Sequence, residues 1–118
     1  MTPQRDTGDA ALSEQQLHDL AATFGMLAAT SRLQIVWLLT HGERDVGTLA
    51  TEIGQSVAVV SQHLAKLKLA GLVNARKEGR RQVYLLADPG VAAIVGFAAA
   101  TMLDVPEQTQ RRTDDRTA

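Results

Sequence analysis

Three residues, Gly54-Gln55-Ser56, restrict what this chain can fold into more than any others. Glycine can end one helix in the left-handed conformation, and serine can start the next by accepting a bond from a free amide. On both sides the apolar residues recur at helical spacing. Leu49, Ala50 and Ile53 precede the turn, and Val57, Val60, Leu64 and Leu67 follow it as an inward stripe. The spacing predicts a short helix over residues 46–53, capped by Asp45, and a longer one over 56–70, stopped by Gly71. Two helices joined this tightly make a helix-turn-helix.

Directly afterwards the period changes. Residues 72–76 and 82–86 read as two strands joined around Lys77-Glu78-Gly79-Arg80-Arg81, with Gly79 supplying the positive φ of a tight hairpin. A basic hairpin behind a helix-turn-helix is a wing. Upstream, Ser13 and Gln16 form a capping box for a helix over residues 14–28, with Leu12 stapled against Leu17. A second helix over residues 31–40 carries Leu33, Ile35, Val36, Trp37, Leu38 and Leu39. It has almost no polar face, which predicts the buried centre of the domain. Asp88-Pro89 opens a last helix with the stripe Val91, Ile94, Val95, Ala98 and Met102, and Pro106 closes the ordered part. The expected fold is mainly α with a small β-hairpin: a winged helix-turn-helix of five helices and a two-stranded wing. It occupies residues 12–104, between a disordered arm (1–11) and a disordered polar tail (105–118).

Composition sharpens the reading by exclusion. The chain has 118 residues, enough for one compact domain, and no cysteine, so disulfides, thiolate metal sites and thiol switches are ruled out. Aromatics make up 3%, too few for base-stacking on single strands. No apolar run reaches the roughly 18 residues of a membrane span, and no signal-peptide core is present. The chain reads as cytoplasmic, with no membrane partner. Catalysis is not expected: Ser61 and His63 lie two residues apart on a helix, so they diverge by about 200°, and no phosphate loop or carboxylate pair occurs. The net charge of −1 conceals an asymmetry. From residue 54 to 87, Lys66, Lys68, Arg76, Lys77, Arg80 and Arg81 face the single anion Glu78, a net +5 that leaves −6 elsewhere. A basic third on an acidic body suits one face of a DNA duplex.

Several segments resemble the ArsR/SmtB family of winged-helix repressors. Leu27-Ala28-Ala29-Thr30-Ser31-Arg32-Leu33 is similar to the family's entry to the second helix, and Val60-Ser61-Gln62-His63-Leu64-Ala65-Lys66-Leu67 to its recognition-helix signature. Ala70-Gly71-Leu72-Val73, Glu78-Gly79-Arg80 and Val83-Tyr84-Leu85 resemble its turn into the wing. The resemblance spans about residues 17–103 and implies a homodimeric regulator of double-stranded DNA. Many family members sense metals, yet neither familiar site can be assembled. Asp45-Val46-Gly47-Thr48 stands where the family carries a Cys-x-Cys pair. In the last helix only Asp88 survives, with Gly90, Thr101 and Asp104 at the other ligand positions. One carboxylate does not hold a transition metal. No metal and no cofactor is expected. A non-standard His/Asp/Glu metal site across a dimer, or a protein-interaction or nucleoid module, stand as alternatives, and no residue pattern names an effector.

With its stripe turned inward, the second helix of the motif presents Ala58, Val59, Gln62 and Lys66, flanked by Ser61 and His63. Its N-terminal half would enter the major groove. Gln62 suits adenine, Ala58 and Val59 admit close approach to a thymine methyl, and Ser56, Ser61 and Lys66 suit phosphate or mixed contacts. His63 is either a DNA contact or a packed residue. Arg76, Lys77, Arg80 and Arg81 on the wing would follow the backbone or an adjacent minor groove. Arg32 is either a phosphate clamp or half of a structural ion pair. Apolar residues left over on the outer helices, Leu17, Leu20, Phe24, Leu27, Val91, Ile94, Val95, Phe97, Ala98 and Met102, would pair about a two-fold axis.

Overall fold

The computed structural model describes residues 10–103. The arm predicted over residues 1–11 lies outside these apart from Ala10 and Ala11, and the tail predicted over 105–118, with Pro106, lies wholly outside. The elements run α1 (Glu14–Leu27), α2 (Thr30–Leu39), β1 (Arg44–Asp45), α3 (Val46–Ile53), α4 (Val57–Leu69), β2 (Val73–Glu78), β3 (Arg81–Leu86) and α5 (Pro89–Leu103). Helices α1, α3 and α4 each start at a capping side chain. The Gln16 N–H donates to Ser13 Oγ at 3.0 Å while the Ser13 N–H donates to Gln16 Oε1 at 2.9 Å, closing the capping box of α1. Asp45 accepts from the Thr48 N–H at 2.8 Å, and Ser56 from the Val59 N–H at 3.1 Å. Between α3 and α4, Gly54 sits at φ 72°, ψ 34°, a conformation costly for any residue with a Cβ.

Ile35, Val36, Leu49, Val60, Leu64, Leu67 and Val73 are fully buried and join α2, α3, α4 and β2 in one core. Two predicted core positions fall outside it. Val57 is 50% exposed, because the first turn of α4 projects past the elements that cover Val60, Leu64 and Leu67. Leu33 is 41% exposed, so α2 is the buried centre on one side only; the other side is the floor of an apolar groove.

The sheet has one strand more than the predicted hairpin. Its order is β1-β3-β2, all antiparallel, with Asp45 opposite Val83 and Arg44 opposite Tyr84 on one edge of β3. On the other edge the wing pairs Arg76 with Val83, Lys77 with Gln82 and Glu78 with Arg81. Its strands run closer to the tip than predicted, leaving a two-residue turn of Gly79 and Arg80 with Gly79 at φ 64°.

Candidate nucleic-acid interface

Ser56, Ala58, Val59, Ser61, Gln62 and Lys66 are all exposed on α4, one continuous outward surface. The turn behind them is braced by a 2.6 Å bond from Gln55 Nε2 to Ser31 Oγ at the head of α2. Ser56 is engaged as the cap, yet its hydroxyl proton is still free to be donated.

His63 departs from the rest of that surface. It is half-buried, and its Nδ1 is covered with no hydrogen-bond partner among the described residues. Burial first, then the positive charges of Arg32 and Lys66, push its pKa below the usual histidine value, which favours the neutral ring. Arg32 makes no ion pair among the described residues. Its Nε donates to the Met26 carbonyl at 2.8 Å, fastening the end of α1 to the start of α2.

The wing cations form two classes. Arg76 is clamped between Glu43 and Glu78, the latter at 2.8 Å, and both carboxylates raise its pKa. Arg81 Nε donates to Asp45 Oδ2 at 2.9 Å and lies 3.8 Å from Glu78. Asp45 is held below the ordinary carboxylate range, chiefly by its bonds to Thr48 and secondarily by Arg81. Lys77 and Arg80 are exposed and, among the described residues, have no carboxylate within 4 Å. From sequence all four were equivalent, with Asp45 serving only as a helix cap and neither it nor Glu43 matched to a wing arginine. A signal was present in the alternation Glu43-Arg44-Asp45, which puts two acids on one face of a short extended segment.

On the outer helices, Leu17, Leu20, Phe24, Ile94, Phe97, Ala98 and Met102 are exposed, Phe97 at 76%. Leu27, Val91 and Val95, also predicted to pair between protomers, are instead buried within this one, because α1 and α5 both pack on α2 and point these residues at it. Between α1 and α5 lies an apolar groove of about 800 Å³, floored by Leu33, Gln34 and Trp37 and edged by Phe24, Ile94 and Met102. Sequence reasoning missed its floor by reading α2 as wholly internal.

Among the described residues no three His, Asp or Glu side chains converge on a possible metal position. His41 is engaged with Trp37 instead, ring edge to ring face at 4.3 Å between centroids and Nδ1 2.9 Å from the Trp37 carbonyl. No single described helix is long and apolar enough to cross a membrane.

Residues 29–75, which hold α2 to α4 and the start of the wing, match the family model described as bacterial regulatory protein, arsR family. The transcriptional regulator KmtR of Mycobacterium tuberculosis is 38% identical over 90 residues, 76% of this chain and 69% of that protein. The transcriptional activator HlyU of Vibrio cholerae is 41% identical over 69 residues, 58% of this chain and 64% of the relative. A solved structure of HlyU superposes with a TM-score of 0.72 at 32% identity, covering 75% of this chain and 97% of that one. A Mycobacterium bovis fragment, described as a homodimeric winged helix-turn-helix DNA-binding domain, gives 0.69 at 38% identity, covering 79% of this chain and 89% of that one.

Proposed function

The chain belongs to the ArsR family of bacterial regulatory proteins, helix-turn-helix transcriptional regulators, and from that premise we propose that it is a cytoplasmic repressor that binds an inverted-repeat operator as a homodimer. The observation that carries the reading is the outward face of α4. Gln62 lies exposed in the half of the helix that enters the major groove, and the hairpin tip of the same domain carries exposed Lys77 and Arg80. Its amide can bond N7 and N6 of adenine together, with Ala58 and Val59 close enough to meet a thymine methyl. Ser56, Ser61 and Lys66 take phosphates on either side, and the wing reaches the adjacent backbone or minor groove. His63 and Arg32 serve the scaffold beneath this surface, which their burial and bonding support.

Two copies are needed to cover the apolar surface that α1 and α5 leave exposed, and the homodimeric relative supports that arrangement. Pairing across a two-fold axis sets the two α4 helices about 34–36 Å apart, one turn of B-DNA. Dimer contact through about six phosphates predicts a log–log salt slope near −5. The absent cysteines and the lone Asp88 argue for regulation without metal at the family's familiar positions.

The test is selection of bound fragments from genomic DNA followed by footprinting. Protection of an inverted repeat, with altered sequence preference in Gln62→Ala, is the expected result. Binding that depends on duplex length but not on sequence would replace this reading with a nucleoid role. HlyU carries the name of an activator, which gives activation a specific footing as the second reading. An operator overlapping the start of the regulated gene supports repression, and one upstream of its promoter supports activation.

A further inference from the structure

The pairing register divides the wing into two chemically different faces, and the division bears on which residues meet DNA. Residues directly opposite each other in an antiparallel pair project to the same side. Arg76, Val83, Glu78 and Arg81 therefore share one face, and Asp45, opposite Val83 on β1, joins them. With Glu43 bound to Arg76, that face holds three carboxylates against two guanidiniums, all joined by ion pairs. Its net charge is negative, and neither arginine is free. The other face carries Val73, Ala75 and Lys77 on β2 and Gln82, Tyr84 and Leu86 on β3. At its base Val73 enters the core and Tyr84 and Leu86 pack against it, so this side is turned toward the helices, while Val83 on the first face is buried apart from that cluster. At its tip the same side presents Lys77 and Gln82 across from each other, next to Arg80 in the turn, and no anion.

We propose that the wing meets DNA only through this second face, with Lys77 and Arg80 on phosphates and Gln82 beside them as a further contact, while Arg76 and Arg81 are positioning residues that fix the hairpin to β1 and α3. The inference rests on the DNA-binding reading above and deepens it. A phosphate reaching Arg76 would have to displace two carboxylates and approach a face whose net charge repels it. A phosphate reaching Lys77 or Arg80 displaces only water and counterions, the exchange that drives backbone binding. Gln82 offers both amide donors and an acceptor, so it can bond a phosphate oxygen or a base edge in the minor groove without adding charge.

The experiment measures operator affinity of the full-length chain as a function of salt. Each substitution alters two sites per dimer, so Lys77→Ala and Arg80→Ala are each expected to flatten the log–log slope by about 2. Arg76→Ala and Arg81→Ala leave the slope unchanged, and thermal unfolding checks that they remain folded. Gln82→Lys, which adds a cation to the contact face, steepens the slope by about 2. The proposal is overturned if Arg76→Ala or Arg81→Ala flattens the slope as much as Arg80→Ala, or if Lys77→Ala and Arg80→Ala leave it alone. Should the wing variants fail in this way while Gln62→Ala still changes sequence preference, only the division of the wing is lost. A wild-type chain that protects no duplex sequence would overturn both readings.

Discussion

The helix-turn-helix half and the outer-helix half of this molecule use apolar residues to opposite ends. In α3 and α4, Leu49, Val60, Leu64 and Leu67 are completely covered, and the outward residues are mostly small or polar, with Val57, Val59 and Leu69 as the apolar exceptions. In α1 only Leu27 is buried, and α5 buries Val91 and Val95 while leaving Ile94, Phe97, Met102 and Leu103 in the open. The first half completes its own core and frees its surface for a charged partner. The second does not, and contiguous exposed apolar surface of this kind marks association. Two halves of one small domain thus point to different partners, a duplex and a second copy.

Substitutions in each half separate the two roles. Leu64→Ala removes a fully buried side chain at the centre of the core and is expected to destabilise the monomer fold by about 2–5 kcal/mol, read from denaturant unfolding. Phe97→Glu should leave that fold almost untouched, because the ring is already in water. It should weaken self-association by about 1.5–3 kcal/mol for each of the two rings in the dimer, measured by sedimentation. A Phe97→Glu protein that stays dimeric would break the comparison. Gly54→Ala forces a left-handed residue to carry a Cβ and should cost about 1–2 kcal/mol with no change in association. The smallest effect concerns pH. The folded-state pKa of His63 lies below its unfolded value, so the unfolded chain takes up the proton first. Stability contributed by the neutral ring is complete above about pH 6.5 and is lost as pH falls below it. His63→Gln should flatten the stability–pH curve in that acidic window, and an unchanged curve would remove the ring from the account.

Most element boundaries were legible because caps are local chemistry. Ser13, Asp45, Ser56 and Asp88 each bond an amide two or three residues away, so the helix starts could be read directly. Strand β1 could not be read, since two residues establish no period. The candidate site was half legible. The outward residues of α4 follow from helix geometry, but Val57 was misplaced because periodicity does not reveal where the covering elements stop. The wing was misread for a different reason. Arg81 finds one carboxylate 36 positions away in sequence, and of the three acids that match Arg76 and Arg81 only Glu78 lies within the basic run itself. Leu27, Val91 and Val95 were assigned to the wrong contact because a stripe shows that a residue will be covered, not by which chain.

Asp45 answers to two masters. One carboxylate oxygen holds the first turn of α3, and the other holds Arg81. A substitution that deletes the side chain therefore frays a helix and loosens a hairpin together, and its cost cannot be divided between them. Asparagine offers a way apart: it caps about as well as aspartate but carries no charge, so Asp45→Asn spares the helix and releases the arginine. One side chain thus couples the motif to its wing, in addition to the β1–β3 ladder and the Arg76–Glu43 pair.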